Sequence, residues 1–170
     1  PVSSDDLHNS KSARNFWLYI EGFGPWSVTG NSPINSIKTF EDNSEEKVTV
    51  NCGFLWHKVV RENQNLGLSC EVTSFVPVTE DKIELMKIKI TNQGKKEIIF
   101  TPTAAMPLFG RSADNIRDHR HLTSLLHRIS TTENGIEVQP CMAFDERGHK
   151  PNKIAYCVFG AEGEGKAPLG

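Results

Sequence analysis

The chain has 170 residues, of which 37% are hydrophobic and 24% are charged, and its formal net charge at pH 7 is −2. This length and composition are typical of one globular domain whose core needs no disulfide or metal to hold it. The nearly balanced charge argues against a general nucleic-acid or membrane binder, because either would require a basic face. The sequence contains no apolar run of membrane-spanning length, and no signal peptide is expected.

Both ends of the sequence differ from those of a free-standing domain. The chain opens with PVSSDD and closes with the glycine-rich GAEGEGKAPLG. We therefore expect one domain of a longer protein, with a single β-sandwich over residues 1–160 and the start of a linker over residues 161–170.

The first forty residues include NFWLYIEGFGPWSVTGNSP, which is aromatic and rich in Gly and Pro. This composition predicts irregular edge or loop structure. Trp26 has two interpretations here, a platform on which a sugar ring stacks or a buried anchor of the chain end. The buried anchor is the more common arrangement, and we expect it.

The middle of the chain is patterned for β-strands. KVTVNCGFLWHKVVRE predicts one or two strands. LGLSCEVTSFVP predicts a half-buried strand, because its apolar side chains recur with a period of two at Leu66, Leu68, Cys70, Val72 and Val76. DKIELMKIKITN predicts a further strand, NQGK a turn, and KEIIFTPTAAMPLF the returning partner strand.

Strands also dominate the C-terminal third. Asn134-Gly135 predicts a hairpin of type I′, and NKIAYCVFG predicts a last strand. Leu122, Leu125, Leu126 and Ile129 are spaced as on a short helix, although the Ser/Thr-rich continuation favours a strand. Many short strands separated by turns predict an all-β, antiparallel sandwich with few or no helices.

Four cysteines are scattered without a CxxC pair, at Cys52, Cys70, Cys141 and Cys157. This spacing favours buried free thiols in a reducing compartment over disulfides.

The densest polar segment is RSADNIRDHRH, residues 111–121, which holds three arginines, two aspartates and two histidines. Arginine presents a planar fork of donors that suits phosphate or sugar hydroxyls, and Asp and Asn also bond to hydroxyl pairs. An alternative is an internal Arg–Asp network of Asp114, Arg117 and Asp118 that fixes a long loop onto the sheet.

Two other polar groups are weaker candidates. His119 and His121 would share one face of a strand, with His127 in the same parity, as the ligands of a metal site often do. The neighbouring arginines would repel a cation, however, and no metal is expected. Asp145, Glu146 and His149 could pass for a catalytic acid pair with a histidine, but they occupy a turn-rich connector that favours a solvated loop.

Several stretches resemble a known family. SCEVTSFVPVTEDKIELMKIKITN is similar to a strand pair in the N-terminal super-sandwich of glycoside phosphorylases. MPLFGRSADNIRDHRHLTSLLHRI and YCVFG are similar, more narrowly, to glycoside hydrolase family 94, formerly glycosyltransferase family 36, and within it to the 1,2-β-oligoglucan phosphorylases. The resemblance spans roughly residues 45–160 and implies a super-sandwich of the galactose-mutarotase-like type.

The resemblance also implies an activity. The family cleaves a β-glucoside with inorganic phosphate, inverts the anomeric carbon and releases α-glucose 1-phosphate. The resemblance implies a cytoplasmic enzyme with phosphate as co-substrate and no other cofactor, and we expect its substrate to be a β-1,2-linked β-glucan oligosaccharide. The general-acid aspartate of the family lies in an (α/α)6-barrel, so no residue of these 170 is assigned as catalytic and this chain alone is expected to be inactive.

The sandwich of this family packs against the barrel of its own subunit or of a neighbouring subunit, so the protein could be a homodimer. The sandwich can also form one side of the substrate cleft, at the acceptor end. The resemblance therefore implies that at least two residues in or just after the polar segment face sugar at the acceptor side, from the set Arg111, Asn115, Arg117, Asp118, His119, Arg120, His121 and Thr123. Docking of the barrel without ligand contact is the alternative. Two further hypotheses stay open, a non-catalytic carbohydrate-binding sandwich and a purely structural interface module.

Overall fold

The structure is a computed structural model that describes residues 14–30, 32, 37, 46–106, 108, 127–145 and 148–163. These residues form two compact units, one within residues 13–105 and one from residue 106 onward. We call them the sandwich unit and the C-terminal unit, and each is described by itself. The strands are antiparallel and the described part contains no helical element, so the prediction of an all-β antiparallel fold is confirmed. The domain boundary at residue 160 stays a prediction.

The sandwich unit contains two antiparallel sheets. The three-stranded sheet has the order β2-β1-β7 and the four-stranded sheet the order β3-β4-β5-β6. The strands are β1 Asn15–Ile20, β2 Gly24–Ser27, β3 Glu46–Gly53, β4 Trp56–Asn63, β5 Leu68–Phe75, β6 Leu85–Asn92 and β7 Phe100–Ala105.

One hydrophobic core joins the two sheets face to face. The three-stranded sheet and the residue after it contribute Leu18, Ile20, Trp26 and Val28, and β5 contributes Leu68, Cys70 and Val72. Each fully buried aliphatic side chain of this kind contributes about 1.5–3 kcal/mol of transfer free energy. The period-two prediction is confirmed at Leu68, Cys70 and Val72 by the strict alternation of buried and partly buried residues in β5, whereas Val76 follows the strand and is 39% exposed.

The N-terminal prediction was wrong. Residues 15–20 form β1, the central strand of the three-stranded sheet, instead of irregular edge structure. Leu18 and Ile20 point into the core, whereas Tyr19 between them is 59% exposed. The reason is the alternation of the side chains themselves, which gives the segment one apolar face despite its aromatic composition.

The expected partner of β6 was also wrong. β7 does not return alongside β6 but pairs with β1 in the other sheet, with Leu18 opposite Pro102. Pro102 is compatible with this placement, because a proline lacks the N–H of a central strand and is tolerated on an edge, but it does not decide between the two sheets, since a strand beside β6 would also be an edge strand. Since β7 lies at the edge of its sheet, one side of Pro102 needs no ladder hydrogen bond.

The C-terminal unit contains a three-stranded sheet with the order β12-β9-β8 and a separate hairpin of β10 and β11. Its strands are β8 His127–Thr132, β9 Gly135–Pro140, β10 Met142–Asp145, β11 Gly148–Pro151 and β12 Tyr156–Phe159. The predicted last strand is β12. Ile129 lies in β8, so the strand alternative holds at that position, whereas residues 122–126 lie outside the described residues.

The predicted Asn-Gly hairpin joins β8 to β9, but its geometry differs. Thr132 pairs with Gly135, so Glu133 and Asn134 form the two-residue turn and Gly135 begins the strand. Gly135 is required for another reason, because a Cβ there would lie 1.9 Å from the carbonyl oxygen of Val158 on β12. The glycine permits close approach of two strands, whereas positive φ is not observed at Asn134 or Gly135.

All four cysteines are free thiols, as expected. Only Cys70 is buried, however, while Cys52 and Cys157 are exposed and Cys141 is intermediate. The expectation of burial therefore holds for the strand with clear alternation and fails at the two exposed positions. Burial away from water raises the pKa of Cys70 from 9.0 to about 12, because the thiolate is poorly solvated there.

Candidate functional site

The residues that the sequence predicted to contact substrate lie outside the described residues. This holds for Arg111, Asn115, Arg117, Asp118, His119, Arg120, His121 and Thr123. Their role stays a prediction. His127, the third histidine in the same parity, is the first residue of β8 and is partly buried.

The connector around Asp145 is more regular than predicted. Instead of an unstructured loop, Met142–Asp145 and Gly148–Pro151 pair as an antiparallel hairpin, with Asp145 opposite Gly148. Glu146 lies outside the described residues.

Trp26 is a buried anchor, as expected. Its indole is 3% exposed and donates Nε1–H to Oε1 of Glu46 at 2.8 Å. Oε2 of the same carboxylate accepts from Nη1 of Arg61 at 2.5 Å. The ion pair is largely buried, with side-chain exposures of 11% for Arg61 and 10% for Glu46. This network ties β2 to β3 and β4, so it fixes the relative position of the two sheets.

Arg61 has one orphaned donor, because its Nε is buried without a hydrogen-bond partner. Its guanidinium lies directly against Gly30, whose φ is +77°. Asn15 supports the same region by accepting a hydrogen bond from Oγ of Ser27 at 2.7 Å. The arrangement is a structural network of buried polar groups in which the Glu46 carboxylate accepts from Trp26 and Arg61 across the two sheets, while Nε of Arg61 has no hydrogen-bond partner.

The outer face of the four-stranded sheet, which points away from the core, is mostly charged. Lys58 and Glu71 are paired across it at 3.5 Å, and Lys47 and Glu62 at 3.8 Å. Such partly exposed pairs contribute roughly 0–1 kcal/mol each. This part of the face has the character of a solvated surface.

One end of that outer face is different. Cross-strand pairing places Gly53, Trp56, Phe75 and Leu85 side by side, one from each of the four strands. We call these four residues the terminal row. Trp56 is 41% exposed and Leu85 is 37% exposed, although both are large apolar residues outside the core. An exposed apolar cluster on an otherwise charged face indicates a contact surface.

The hairpin turn next to the terminal row has an unusual backbone. Leu55 has φ of 60°, a left-handed conformation that is uncommon for a residue with a Cβ. Its carbonyl accepts a hydrogen bond from the N–H of Val76 at 2.9 Å, which ties the turn to the end of β5. Phe54 at the tip is 86% exposed. Strain of this kind is retained where the surrounding structure enforces it, and it clusters at binding sites.

A shallow pocket of about 300 Å³ opens at this end of the sheet. Its volume is at the lower end of the range for small-molecule sites, roughly 300–1,000 Å³. The lining combines aromatic, aliphatic and polar side chains, from Gly53, Leu55, Trp56, His57, Ser74, Phe75, Val76 and Glu84. We call it the Trp56 pocket.

The charge of the Trp56 pocket is compensated. The Glu84 carboxylate forms an ion pair with the guanidinium of Arg14. His57 and Ser74 add groups that both donate and accept hydrogen bonds. The register places Trp56 and Phe75 on the outer face of the sheet, whereas His57 and Ser74 have the opposite, core-facing parity, so the aromatic and the hydrogen-bonding side chains lie on different faces.

Sequence reasoning missed this pocket. Trp56 and Phe75 are far apart in the chain, and only the register of β4 against β5 brings them together. A usable signal was present, because Trp56 and Phe75 lie in the polar parity of their strands, where an aromatic residue is unexpected.

Within the residues that the structure describes, no group of three or more His, Cys, Asp or Glu side chains is arranged to hold a metal ion. The same residues contain no helix long and apolar enough to cross a membrane.

Comparison with known proteins adds no identification. No family model matches the chain, and no curated protein matches it either. The fold defines an all-β antiparallel protein.

Proposed function

We propose that the chain is the N-terminal β-sandwich domain of a cytoplasmic inverting glycoside phosphorylase that acts on β-1,2-linked β-glucan oligosaccharides. The observation that carries the proposal is the long polar run MPLFGRSADNIRDHRHLTSLLHRI, with its resemblance to glycoside hydrolase family 94. A second observation supports it. Most of the other resembling segment, SCEVTSFVPVTEDKIELMKIKITN, forms the antiparallel pair of β5 and β6.

The proposed chemistry assigns no catalytic residue to this chain. A phosphate oxygen attacks the anomeric carbon from one face while the bond to the glycosidic oxygen breaks on the other. The departing oxygen takes a proton from a general acid, which the resemblance places in an (α/α)6-barrel. The sandwich packs on that barrel, its own or a neighbour's, and its polar segment 111–121 helps to wall the acceptor side of the cleft.

The test is a substrate panel with the protein as the cell makes it. Release of the sugar 1-phosphate is measured with inorganic phosphate and sophorose oligomers, cellobiose or chitobiose, which is glucose 1-phosphate for the first two and N-acetylglucosamine 1-phosphate for the last. The proposal expects release from the β-1,2-linked oligomers in preference to the other two. Absence of release from every β-glucoside would contradict it.

A second candidate is a non-catalytic carbohydrate-binding sandwich, which the exposed terminal row favours. It predicts oligosaccharide binding without any phosphate-dependent cleavage. The two candidates separate cleanly, because isotopically labelled phosphate enters the product only in the first.

A further inference from the structure

The strand β3 forms an open edge of the four-stranded sheet. Among the strands that the structure describes, β3 pairs with β4 alone, in continuous register over all 8 of its residues. Every residue of β3 after Glu46 is exposed. An edge of this length presents a row of backbone N–H and C=O groups to which another strand can add.

The other edges of the sandwich unit carry features that oppose such pairing. β2 has only 4 residues and includes Pro25, and β7 contains Pro102 in the middle of the strand. β6 displays Lys87 and Lys89 with exposed side chains. β3 has no proline and no bulge, and its one lysine, Lys47, lies near an end. Of these edges, β3 is therefore the one that is suited to accept a further strand.

The core-facing side of β3 is apolar but uncovered. Val50 lies opposite Val59 of β4, which in turn lies opposite the buried Val72 of β5. Val50 therefore has the core-facing parity, and so do Val48 and Cys52. Even so, Val48 is 45% exposed, Val50 is 63% exposed and Cys52 is also exposed. In this sheet the hydrophobic core draws on β5 and β6 and includes no residue of β3, so the edge ends in an apolar strip that is open to water.

The turn after β3 decides which backbone groups point outward. A two-residue turn joins β3 to β4, and a turn of this length closes on a hydrogen-bonded pair, here Gly53 with Trp56. Hydrogen-bonded pairs alternate along an antiparallel ladder, so every second residue before Gly53 also bonds to β4. The N–H and C=O groups of the residues between them, Val48, Val50 and Cys52, point to the open side. The same residues therefore supply the outward hydrogen-bonding groups and the apolar strip.

A second copy of β3 matches this edge. Two identical strands related by a two-fold axis pair antiparallel, so each outward N–H meets an outward C=O of the other copy. Paired residues share a face, so the valines of the two copies meet on the core-facing side. Charge does not oppose the pairing, because Glu46 is held by Arg61 and the two Lys47 side chains lie toward opposite ends of the strand pair.

We infer that β3 pairs with β3 of a second copy of this chain, so that the two four-stranded sheets join into one and the apolar strips of the two copies cover each other. A standard interface takes about 20–30 residues from each partner, whereas β3 supplies 8, so the dimer is weak and depends on concentration. The inference concerns the sandwich unit alone and does not rest on the proposed function.

The first test is sedimentation velocity of the intact protein over a wide range of concentration, which should show a reversible equilibrium of monomer and dimer. Val50→Lys places a charge on the apolar strip and should weaken association at least about tenfold. Val50→Pro should also weaken it, because it removes an outward N–H and leaves the ladder with β4 intact. Val78→Lys is the matched control, since Val78 is 89% exposed and lies outside β3, and association should be unchanged. The melting temperature of each variant checks its fold.

Amide hydrogen exchange, followed by NMR, reports the strand pairing itself and needs no variant. As the concentration rises, exchange should slow at Val48, Val50 and Cys52. Exchange at Thr49 and Asn51 should change little, because their N–H groups already bond to β4. This alternation separates strand pairing from any other contact between two copies.

Three outcomes would overturn the inference. One is a monomer at every concentration, and another is a dimer whose affinity Val50→Lys and Val50→Pro leave unchanged. A third is slow exchange at Val48 and Val50 that does not depend on concentration, which would mean that another segment of the same chain covers the edge. Phosphorolysis requires none of these results, so each of them leaves the proposed function as it stands.

Discussion

The guanidinium of Arg61 occupies the space into which a side chain on Gly30 would extend. A Cβ on Gly30 would lie 1.9 Å from Nη2 and 2.8 Å from Cζ. Arg61 is not free to retreat, because its Nη1 is 2.5 Å from the Glu46 carboxylate in a largely buried pair. The absence of a side chain at Gly30 therefore leaves room for Arg61 between the two sheets. Gly30 also adopts the left-handed conformation of the turn.

We expect Gly30→Ala to destabilise the protein by about 1–3 kcal/mol more than Gly22→Ala, the extra cost being overpacking against Arg61. Both glycines have φ of +77°, so the left-handed strain of about 1–2 kcal/mol is common to the two variants. Gly22 has nothing within 4 Å of an added Cβ, which makes it the matched control. Urea unfolding of both variants measures the difference, and equal losses would show that Arg61 yields without cost.

We expect Glu46→Gln to lower the free energy of unfolding by about 3 kcal/mol, because it leaves the Arg61 charge largely buried without its counter-charge. The double variant Glu46→Gln with Arg61→Met should recover much of that loss, since no unpaired charge remains. A double-mutant cycle by chemical denaturation measures the coupling. Purely additive losses would contradict a coupled Glu46–Arg61 pair.

Cys70 should make stability fall at alkaline pH. Its pKa is raised from 9.0 to about 12 in the folded protein by burial, so above pH 9 the unfolded chain loses this proton first. The free energy of unfolding then falls by about 1.4 kcal/mol per pH unit until the folded pKa is reached, and below pH 9 the thiol contributes no slope.

The measurement is the difference between the pH profiles of the wild type and Cys70→Ala, which cancels the Tyr and Lys titrations in the same range. A steeper wild-type slope above pH 9 is expected. Identical slopes would contradict burial of the thiol. In a companion assay a thiol reagent should modify the exposed Cys52 and Cys157 before Cys70.

Arg117→Ala and His119→Ala test the polar segment in the protein as the cell makes it. If this segment faces sugar, each variant should raise the Michaelis constant for the oligosaccharide several-fold, while the melting temperature stays constant. A lower melting temperature or an altered oligomeric state, with an unchanged Michaelis constant, would instead assign the segment to docking.

The sequence predicted the fold class and the core of the four-stranded sheet, because alternation survives in β5 without interruption. The prediction failed where the same local sequence pattern is compatible with two different structures. The aromatic, Gly-rich N-terminal segment was interpreted as loop, yet its alternation placed Leu18 and Ile20 in the core. Gly135 was interpreted as a turn residue, yet it allows β12 to approach.

Long-range pairing accounts for the other failures. The partner of β7 depends on the location of β1, with which it pairs over its whole length, and this cannot be read from the neighbouring sequence. The terminal row likewise depends on register, since Trp56, Phe75 and Leu85 meet only when three strands are aligned. Buried polar contacts such as Trp26 with Glu46 are set by the packing of the sheets.

The most direct test of the proposed function is proton NMR of the sugar product formed by the intact protein from a β-1,2-glucan oligosaccharide and inorganic phosphate. The account predicts phosphate-dependent appearance of α-glucose 1-phosphate as the first product, because displacement by phosphate on a β-glucoside inverts the anomeric carbon. Formation of β-glucose 1-phosphate, of free glucose alone or of no product would contradict it.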